Sequence, residues 1–350
     1  MRAELLHTSL PRGLDGGTGF CVAACTGGMP AATREALAAI SGLPEGWPGC
    51  SDWERTLRAT RQVSWGGTSH WVATVTRPCG VDHTGRGNRI AHHRVLDAAE
   101  LERCDPVTLL ADHERWQAGW KGEPRELEVP TVIEHLSAPC GPAQGWAAMF
   151  GDAGAAAEAL ERAWRSGVGA WVVVPAGSDR LSMLAEMVSL LPMPKRWSRG
   201  WATRPLRPGA STAPVIAVVD EREPELRGAA SNAAWVIRMD AARPARAAAA
   251  MLELARRGSA AHDHDGVPRR AESETAVAWQ PPERLHAGGA PIKPPAATEA
   301  DRSGQGALTA TPIRVELAPT GARGAWLWLA AVACVALLVA AAWWLWGGGA

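Results

Sequence analysis

The chain has 350 residues, of which 47% are hydrophobic and 21% are charged. This length allows two domains, or one large domain with appendages, and it is ample for a packed core. Lys and Arg together number 36, as do Asp and Glu, so the formal net charge is zero. A chain-wide basic field is therefore excluded, and no nucleic acid partner is expected.

The first half of the chain is rich in short apolar segments that are typical of strands. Two of them are joined by the glycine-rich sequence PRGLDGGT, which predicts a tight turn. The elements predicted in this half are strands at 5–10, 19–25, 70–76 and 91–97 and helices at 34–40 and 107–116. Together they outline a strand-rich half that spans residues 1–145.

The second half, residues 146–257, alternates continuous apolar strands with amphipathic helices. The elements predicted here are helices at 153–165, 178–191 (capped by Ser178) and 245–257, and strands at 170–176, 200–204, 214–220 and 234–240. Such a sequence predicts a sheet that is covered on both faces. The predicted fold class is therefore a mixed α/β (α+β) fold, strand-rich first and α/β-layered second.

Two segments of different amino-acid composition follow the predicted folded part. Residues 258–324 carry eight prolines and a single aromatic residue, Trp279, which predicts a disordered linker. Residues 325–346 read AWLWLAAVACVALLVAAAWWLW and contain no charge. As a helix they would be about 33 Å long, enough to cross a bilayer, and Trp clusters at both ends suit its two interfaces. The sequence therefore predicts a transmembrane helix in contact with the lipid bilayer.

The location of the chain is predicted from its first residues and its cysteines. The opening MRAELLHTSLPRGLDGG has no apolar stretch of the kind found in secretory signals, and Arg323 precedes the predicted span. The cysteine spacing shows neither CxxC pairs nor the density of a disulfide scaffold. We expect a single-pass protein of the cell membrane whose folded N-terminal part is cytoplasmic.

The common catalytic and metal-binding motifs are not found in the sequence. The Gly13–Gly19 segment runs into the strand-like FCVAAC, whereas a phosphate-binding loop needs Lys and Ser or Thr at the start of a helix. His92 and His93 are adjacent and would point to opposite faces of a strand, and His262 and His264 lie in the predicted linker. No GxSxG nucleophile elbow is present. We therefore predict no catalytic residues, no metal and no cofactor.

One segment, PKRWSRGWATRPLRP, has an excess of positive charge. Its basic residues are Lys195, Arg196, Arg199, Arg204 and Arg207, with Trp197 and Trp201 between them. Three interpretations stay open: a solvated strand edge protected by arginine, a surface for anionic lipid or an acidic partner, and a nucleic-acid surface.

Three segments carry a resemblance to a known family. They are the opening LLHTSLPRGLDGGTGFCVAAC, the central DHTGRGNRIAHHRVLD, and residues 171–204 with their P-x-G-x-D and LP-x-x-x-RW patterns. Together they resemble the N-terminal domain, second type, of the GTPase-associated protein 1 family of bacterial conflict and signalling gene clusters. The likeness covers about residues 4–245, and the AHH signature is its most specific part. It departs from the family where an aromatic-rich strand is replaced by GWATRPLRP.

The resemblance implies a protein that contacts a separately encoded GTPase as an adaptor rather than an enzyme. It also implies that the first hairpin and the AHH strand are neighbours, which groups the candidate residues His7, Thr8, Ser9, Arg12, Gly13, Gly19, Phe20, Arg86, Asn88, His92 and His93. This group is open to a structural, a partner-binding or ligand-binding, and a catalytic interpretation. The predicted function is a membrane-tethered cytoplasmic adaptor of a GTPase-centred system. The alternative is a membrane-anchored hydrolase or ligand-binding sensor.

Overall fold

The computed structural model of the chain describes residues 1–133, 136–137, 141–167, 169–206, 211–229, 235–239, 241 and 244–258. The predicted linker beyond Gly258 and the predicted membrane helix at 325–346 lie outside the described residues. Within the part that is described, no helix is long and apolar enough to cross a membrane.

The described residues form a single mixed sheet. Its strands are β1 Ala3–Leu10, β2 Gly19–Thr26, β3 Leu57–Trp65, β4 Thr68–Val81, β5 Gly87–Val95, β6 Arg125–Leu127, β7 Ala170–Val174, β8 Gly200–Ala202, β9 Val215–Asp220 and β10 Val236–Arg238. They lie side by side in the order β10-β7-β9-β8-β3-β4-β5-β1-β2-β6. The sheet therefore runs without a break from the strand-rich half into the second half of the chain.

The helices lie between these strands in the chain, except the last, which follows β10. They are α1 Ala31–Ala39, α2 Asp52–Arg55, α3 Ala98–Arg103, α4 Pro106–Ala111, α5 Gln144–Phe150, α6 Gly154–Arg165, α7 Arg180–Ser189, α8 Met193–Arg196, α9 Glu225–Ala229 and α10 Ala249–Arg257. The N-cap of α7 is Asp179 and not the predicted Ser178, because Asp179 accepts the backbone N–H of Ser182.

In the first half, β1 to β5 pair with one another in antiparallel register, and the short β6 adds to β2 in parallel. The side chains of the long strands alternate between two covered faces. On one face, Leu5, Val72 and Val95 pack with α1. On the other face, Ala73 and Val75 join the largest apolar cluster of the described residues. The alternation follows from the two-residue period of a strand, which turns successive side chains to opposite faces.

The second half is parallel, with β7 between β9 and β10. Val172 and Val174 pack with α6 and α7, whereas Val173 lies on the opposite face, in the apolar cluster that also contains Leu57 of β3. Both faces of β7 are thus buried, which is why its sequence is an unbroken apolar run. The predicted mixed α+β class with a strand-rich first half is confirmed.

A buried ion cluster joins the antiparallel and the parallel parts of the sheet. The guanidinium of Arg204, just after β8, donates through Nε and Nη2 to both carboxylate oxygens of Glu223, at 2.8 and 2.7 Å. Arg180 donates to the same carboxylate at 3.0 Å. The remaining donors of Arg204 bind backbone carbonyls of the first half, at Pro44, Glu45 and Arg55. Arg204 therefore holds the loop before β3 against the strands of the second half.

Replacing Glu223 by Gln is expected to lower the free energy of unfolding by about 3–5 kcal/mol, because it leaves two buried arginines without their carboxylate. The measurement is equilibrium denaturation of the full chain. Glu253→Gln is the matched control, because it breaks the exposed pair between Glu253 and Arg257, which is worth less than about 0.5 kcal/mol. Equal effects of the two substitutions would contradict the role given to the buried cluster.

Candidate functional site

The first hairpin and the AHH strand are neighbours in the sheet, as expected. β1 pairs with β5 in antiparallel register, with Leu6 opposite His92 and Thr8 opposite Ile90. The turn between β1 and β2 is tight: Gly19 has a φ of 77°, and a Cβ on Gly13 would stand 2.6 Å from the sulfur of Cys21. Glycine is required here by backbone conformation and by close approach, which supports the prediction of a turn.

Asn88 connects the end of β1 to the start of β5. Its Oδ1 accepts hydrogen bonds from the Thr8 hydroxyl at 3.2 Å, from the Ser9 N–H at 3.2 Å and from the Arg89 N–H at 2.8 Å. The Thr8 hydroxyl also lies 2.7 Å from the carbonyl oxygen of Arg89. Asn88 thus satisfies backbone and side-chain donors where the two strands begin to separate.

Ser9 is held by a carboxylate. Its hydroxyl donates to Asp82 Oδ2 at 3.0 Å, and the other oxygen of Asp82 accepts from Thr84 and from the Arg86 N–H. The hydroxyl of Thr84 contributes most to holding the pKa of Asp82 well below its ordinary value. A carboxylate with so low a pKa is a weak general base. The contact therefore favours a structural role for Ser9 over a nucleophilic one.

His93 is buried with both ring nitrogens in hydrogen bonds. Its Nε2 lies 2.8 Å from the Ser41 hydroxyl, and its Nδ1 lies 3.0 Å from the Thr74 hydroxyl. Because Ser41 donates its proton to the Leu37 carbonyl at 3.0 Å, it accepts the hydrogen bond from His93 Nε2–H. Burial lowers the pKa of His93 well below 6.5, and nearby Arg61 adds to this effect. His93 is therefore a neutral link between α1 and the sheet.

His92 points to the opposite face of the sheet from His93, as predicted for adjacent residues of a strand. Its ring meets Trp116 edge to face, and its Nε2 lies 3.8 Å from Glu4 Oε2. It borders an open cavity of about 520 Å³, named here the His92 cavity, whose lining is Glu4, Leu6, His92, Gln117, Ala118, Gly119, Trp120, Lys121, Arg125 and Leu127. The two adjacent histidines therefore belong to different environments and cannot share one ligand.

His7 lies against an exposed aromatic ring at the end of the first hairpin. Its imidazole stacks on Phe20 at 6.5 Å between centroids, and the Arg89 guanidinium covers Phe20 at 3.8 Å. Burial, with a smaller contribution from Arg89, lowers the pKa of His7 to about 4. The imidazole is therefore neutral at neutral pH.

The ends of the two hairpins form an exposed surface of mixed apolar and basic character. Phe20 is 40% exposed and Val81 is 70% exposed. Arg12 and Arg86 are also exposed, and Arg89 lies over Phe20. We call this group the hairpin-end surface; its members are Arg12, Phe20, Val81, Arg86 and Arg89.

Among the described residues of the basic segment at 195–207, two of the arginines are buried. Arg204 is fully buried in its cluster with Glu223, and Arg196 is buried against Asp105 at 2.9 Å. Arg199 is partly buried over the ring of Trp164, whereas Lys195 is exposed. Arg207 lies outside the described residues. The arginines Arg196, Arg199 and Arg204 thus bind acidic side chains and backbone carbonyls that lie elsewhere in the chain.

Arg61 is a buried arginine that the sequence did not indicate. It is 2% exposed, and within the described part of the chain its Nε and Nη2 have no hydrogen-bond partner. Three other arginines use this same edge to bind a carboxylate, in the pairs Arg204–Glu223, Arg222–Asp220 and Arg256–Asp152. Burial lowers the pKa of Arg61 to about 10.

The described cysteines are free. Burial raises the pKa of each of their thiols, that of Cys104 to about 11. No group of three or more His, Cys, Asp or Glu residues among the described residues is arranged to hold a metal ion. His262 and His264 lie outside those residues.

The comparisons with known proteins agree with the strand-rich part of the fold. The family model of GTPase-associated protein 1, N-terminal domain type 2, matches residues 1–134. This match covers the hairpins that carry the candidate residues, and it fits a GTPase-related role. Neither a curated protein nor a solved structure matches the chain. The predicted resemblance is therefore supported for the N-terminal part.

The neutral state of His7 predicts a loss of stability in acid. Between pH 6.5 and about 4 the unfolded chain takes up a proton at His7 that the folded chain does not, so unfolding is favoured as the pH falls. We expect about 1–3 kcal/mol from this residue. His7→Gln should reduce the slope of unfolding free energy against pH in this window.

The control for this measurement is His83→Gln, since His83 is exposed. Its slope should match that of the unmodified chain, and some slope should persist in His7→Gln because His93 is also held neutral. Identical slopes for the unmodified chain and His7→Gln would be incompatible with a buried neutral His7.

The Nε and Nη2 atoms of Arg61, which have no partner among the described residues, predict a stabilising substitution. Arg61→Met keeps an unbranched apolar stem and removes a buried charge, so the free energy of unfolding should rise by about 1 kcal/mol or more. Chemical denaturation of the full chain measures it, and the exposed Arg103→Met should change it by less than about 0.5 kcal/mol. A clear loss of stability in Arg61→Met would show that the guanidinium is paired in solution.

Proposed function

We propose that this chain is a non-catalytic adaptor of a bacterial GTPase-centred signalling or conflict system, tethered to the cytoplasmic face of the cell membrane. The observation that carries the proposal is the match of residues 1–134 to the GTPase-associated protein 1 domain model. The GTPase would be a separate chain, and the adaptor would bring it to the membrane.

The geometry around the candidate residues supports an adaptor more than a hydrolase. Ser9 donates to a carboxylate of very low pKa, Asn88 satisfies backbone donors, and His93 has both nitrogens occupied. A nucleophile–base pair requires a base whose pKa lies near the working pH, which Asp82 does not provide. These residues build the scaffold that carries the hairpin ends.

The hairpin-end surface is the contact that we propose for the GTPase. Phe20 and Val81 offer exposed apolar area, and the arginines around them offer positive charge. Aromatic residues and arginine are enriched among the side chains that dominate protein interfaces. The complementary surface of the partner would then be apolar at its centre and acidic at its rim.

The membrane tether in this proposal comes from the sequence. Residues 325–346 form an uncharged stretch that is long enough to cross a bilayer, and the proline-rich residues 258–324 separate it from the folded part. A linker of this length would let the hairpin-end surface search the space beneath the membrane. The adaptor would thereby raise the local concentration of its GTPase at the membrane.

The test is a pull-down of the tagged full chain, solubilised in detergent, from its native cells. It is run with GDP and with a non-hydrolysable GTP analogue. We expect a GTPase to be recovered in one nucleotide state in preference to the other. Phe20→Glu should reduce recovery at least tenfold, because it places a charge at the centre of the apolar contact.

Val129→Glu is the matched control for that substitution. Val129 is 61% exposed and follows β6, which pairs with the opposite end of β2 from Phe20. Recovery of the GTPase by this variant should equal that of the unmodified chain. Failure to recover a GTPase in either nucleotide state would refute the adaptor, and release of the chain into the soluble fraction on lysis without detergent would refute the tether.

A further inference from the structure

The start of β3 places a buried arginine, Arg58, beneath the ring of the exposed Trp53. We propose that Arg58 and its neighbour Arg77 bind a phosphate group, either free phosphate or that of a small phosphate monoester. The two arginines are not members of the hairpin-end surface. The proposal is therefore independent of the adaptor function, because it concerns an anion that the chain binds by itself.

The first argument is the unsatisfied guanidinium of Arg58. The residue is 4% exposed, and its backbone N–H donates to the Thr203 hydroxyl at 3.1 Å. Within the described part of the chain, however, its guanidinium has neither a hydrogen bond nor an ion pair. The buried Arg196 and Arg204 each bind a carboxylate, as the cost of a buried charge requires. An anion in contact with Arg58 would supply the same compensation.

The second argument is that an anion can reach this guanidinium. Its nitrogens are accessible to solvent, unlike Nε and Nη2 of Arg61, which are fully buried. The Trp53 ring lies over the group, with 4.1 Å between Cζ and the ring centroid, and is itself met edge to face by His113. A guanidinium donates hydrogen bonds in its own plane. A ring on its face therefore fixes the group and leaves its edge free for an oxyanion.

A second cation lies beside Arg58 on the same face of the sheet. Arg58 is opposite Val75 in the register of β3 and β4, and Arg77 follows Val75 by two residues, which turns its side chain to the same face. Arg77 donates through Nη2 to the Trp116 carbonyl at 2.7 Å, and its buried Nε has no partner among the described residues. Burial and the nearby charge of Arg77 lower the pKa of Arg58 to about 10. Two uncompensated cations thus lie side by side.

The other charged groups of this region are already engaged. Each of them is bound to a partner outside the site: Asp179 to Ser182, Asp112 to Arg115, and Arg180 to Glu223. No acidic side chain in the described ranges forms an ion pair with Arg58 or Arg77. The positive charge of the two arginines is therefore available to a ligand.

The charge of the site favours a phosphate over a carboxylate. A phosphate group carries a charge of roughly −1.5 to −2 at neutral pH and has at least three acceptor oxygens. It can therefore pair with both guanidiniums. A carboxylate has one charge and two oxygens, so a bidentate contact with Arg58 would leave Arg77 without a counter-charge. Acetate is accordingly the discriminating probe.

The experiment is isothermal titration of the purified full chain in detergent, at constant ionic strength and without any GTPase. The probes are inorganic phosphate, O-phosphoserine and acetate. We expect saturable binding of at least one phosphate compound, at least tenfold tighter than that of acetate. The tighter of the two phosphate probes identifies the source of the group. Because no GTPase is present, failure of this binding is distinguishable from failure of the adaptor proposal.

Arg58→Met should weaken phosphate binding about tenfold or more, since it removes a charged contact. Arg61→Met is the matched control, because it removes another buried arginine from the same strand, three residues away and on the opposite face. Its affinity for phosphate should stay within about twofold of that of the unmodified chain. Arg58→Lys keeps the charge but loses the planar pair of donors, and it should weaken binding severalfold.

The proposal is overturned by three results. They are no saturable binding of either phosphate compound up to millimolar concentration, equal affinity for acetate and phosphate, and equal weakening by Arg58→Met and Arg61→Met. Circular dichroism verifies that each variant is folded. If Arg58→Met is unfolded, the comparison of Arg58→Lys with Arg61→Met decides the question.

Discussion

The buried pair of Arg204 and Glu223 is the interaction on which the architecture depends. The three-residue strand β8 pairs with β3 in antiparallel and with β9 in parallel register, so the sheet changes from antiparallel to parallel pairing at this strand. Arg204 follows β8 directly and binds carbonyls of the loop that leads to β3. A buried guanidinium is tolerated when its donors are satisfied, so the cluster fixes both the loop and the join of the sheet.

The same sheet creates two different environments for adjacent histidines. The face that holds His93 is closed by α1 and Ser41, and both of its nitrogens have partners. The face that holds His92 is partly covered by the segment from Trp116 to Lys121, which contacts His92. The space left between this segment and the sheet is the His92 cavity. One histidine therefore links α1 to the sheet, whereas the other lies against Trp116 and Glu4.

The hairpin-end surface and the His92 cavity lie on different parts of β1 and β5. The hairpin-end surface lies where β1 turns into β2 and β4 turns into β5, and the cavity lies further along the same strands, at Glu4 and His92. Asn88 and Asp82 hold the hairpin ends in place through several hydrogen bonds each. A partner that binds the hairpin ends would thus contact a rigid element.

The sequence by itself determined the strand-rich first half, the buried parallel strands and the opposite directions of His92 and His93, because each follows from a local period. It did not reveal β3, whose buried positions include Arg58 and Arg61. It also did not reveal that Arg196 and Arg204 are buried. Arg196 meets Asp105 across 91 residues, and the cavity forms where Gln117 approaches His92. The tertiary structure decided these features, because the energy of a buried charge depends on partners that are distant in the chain.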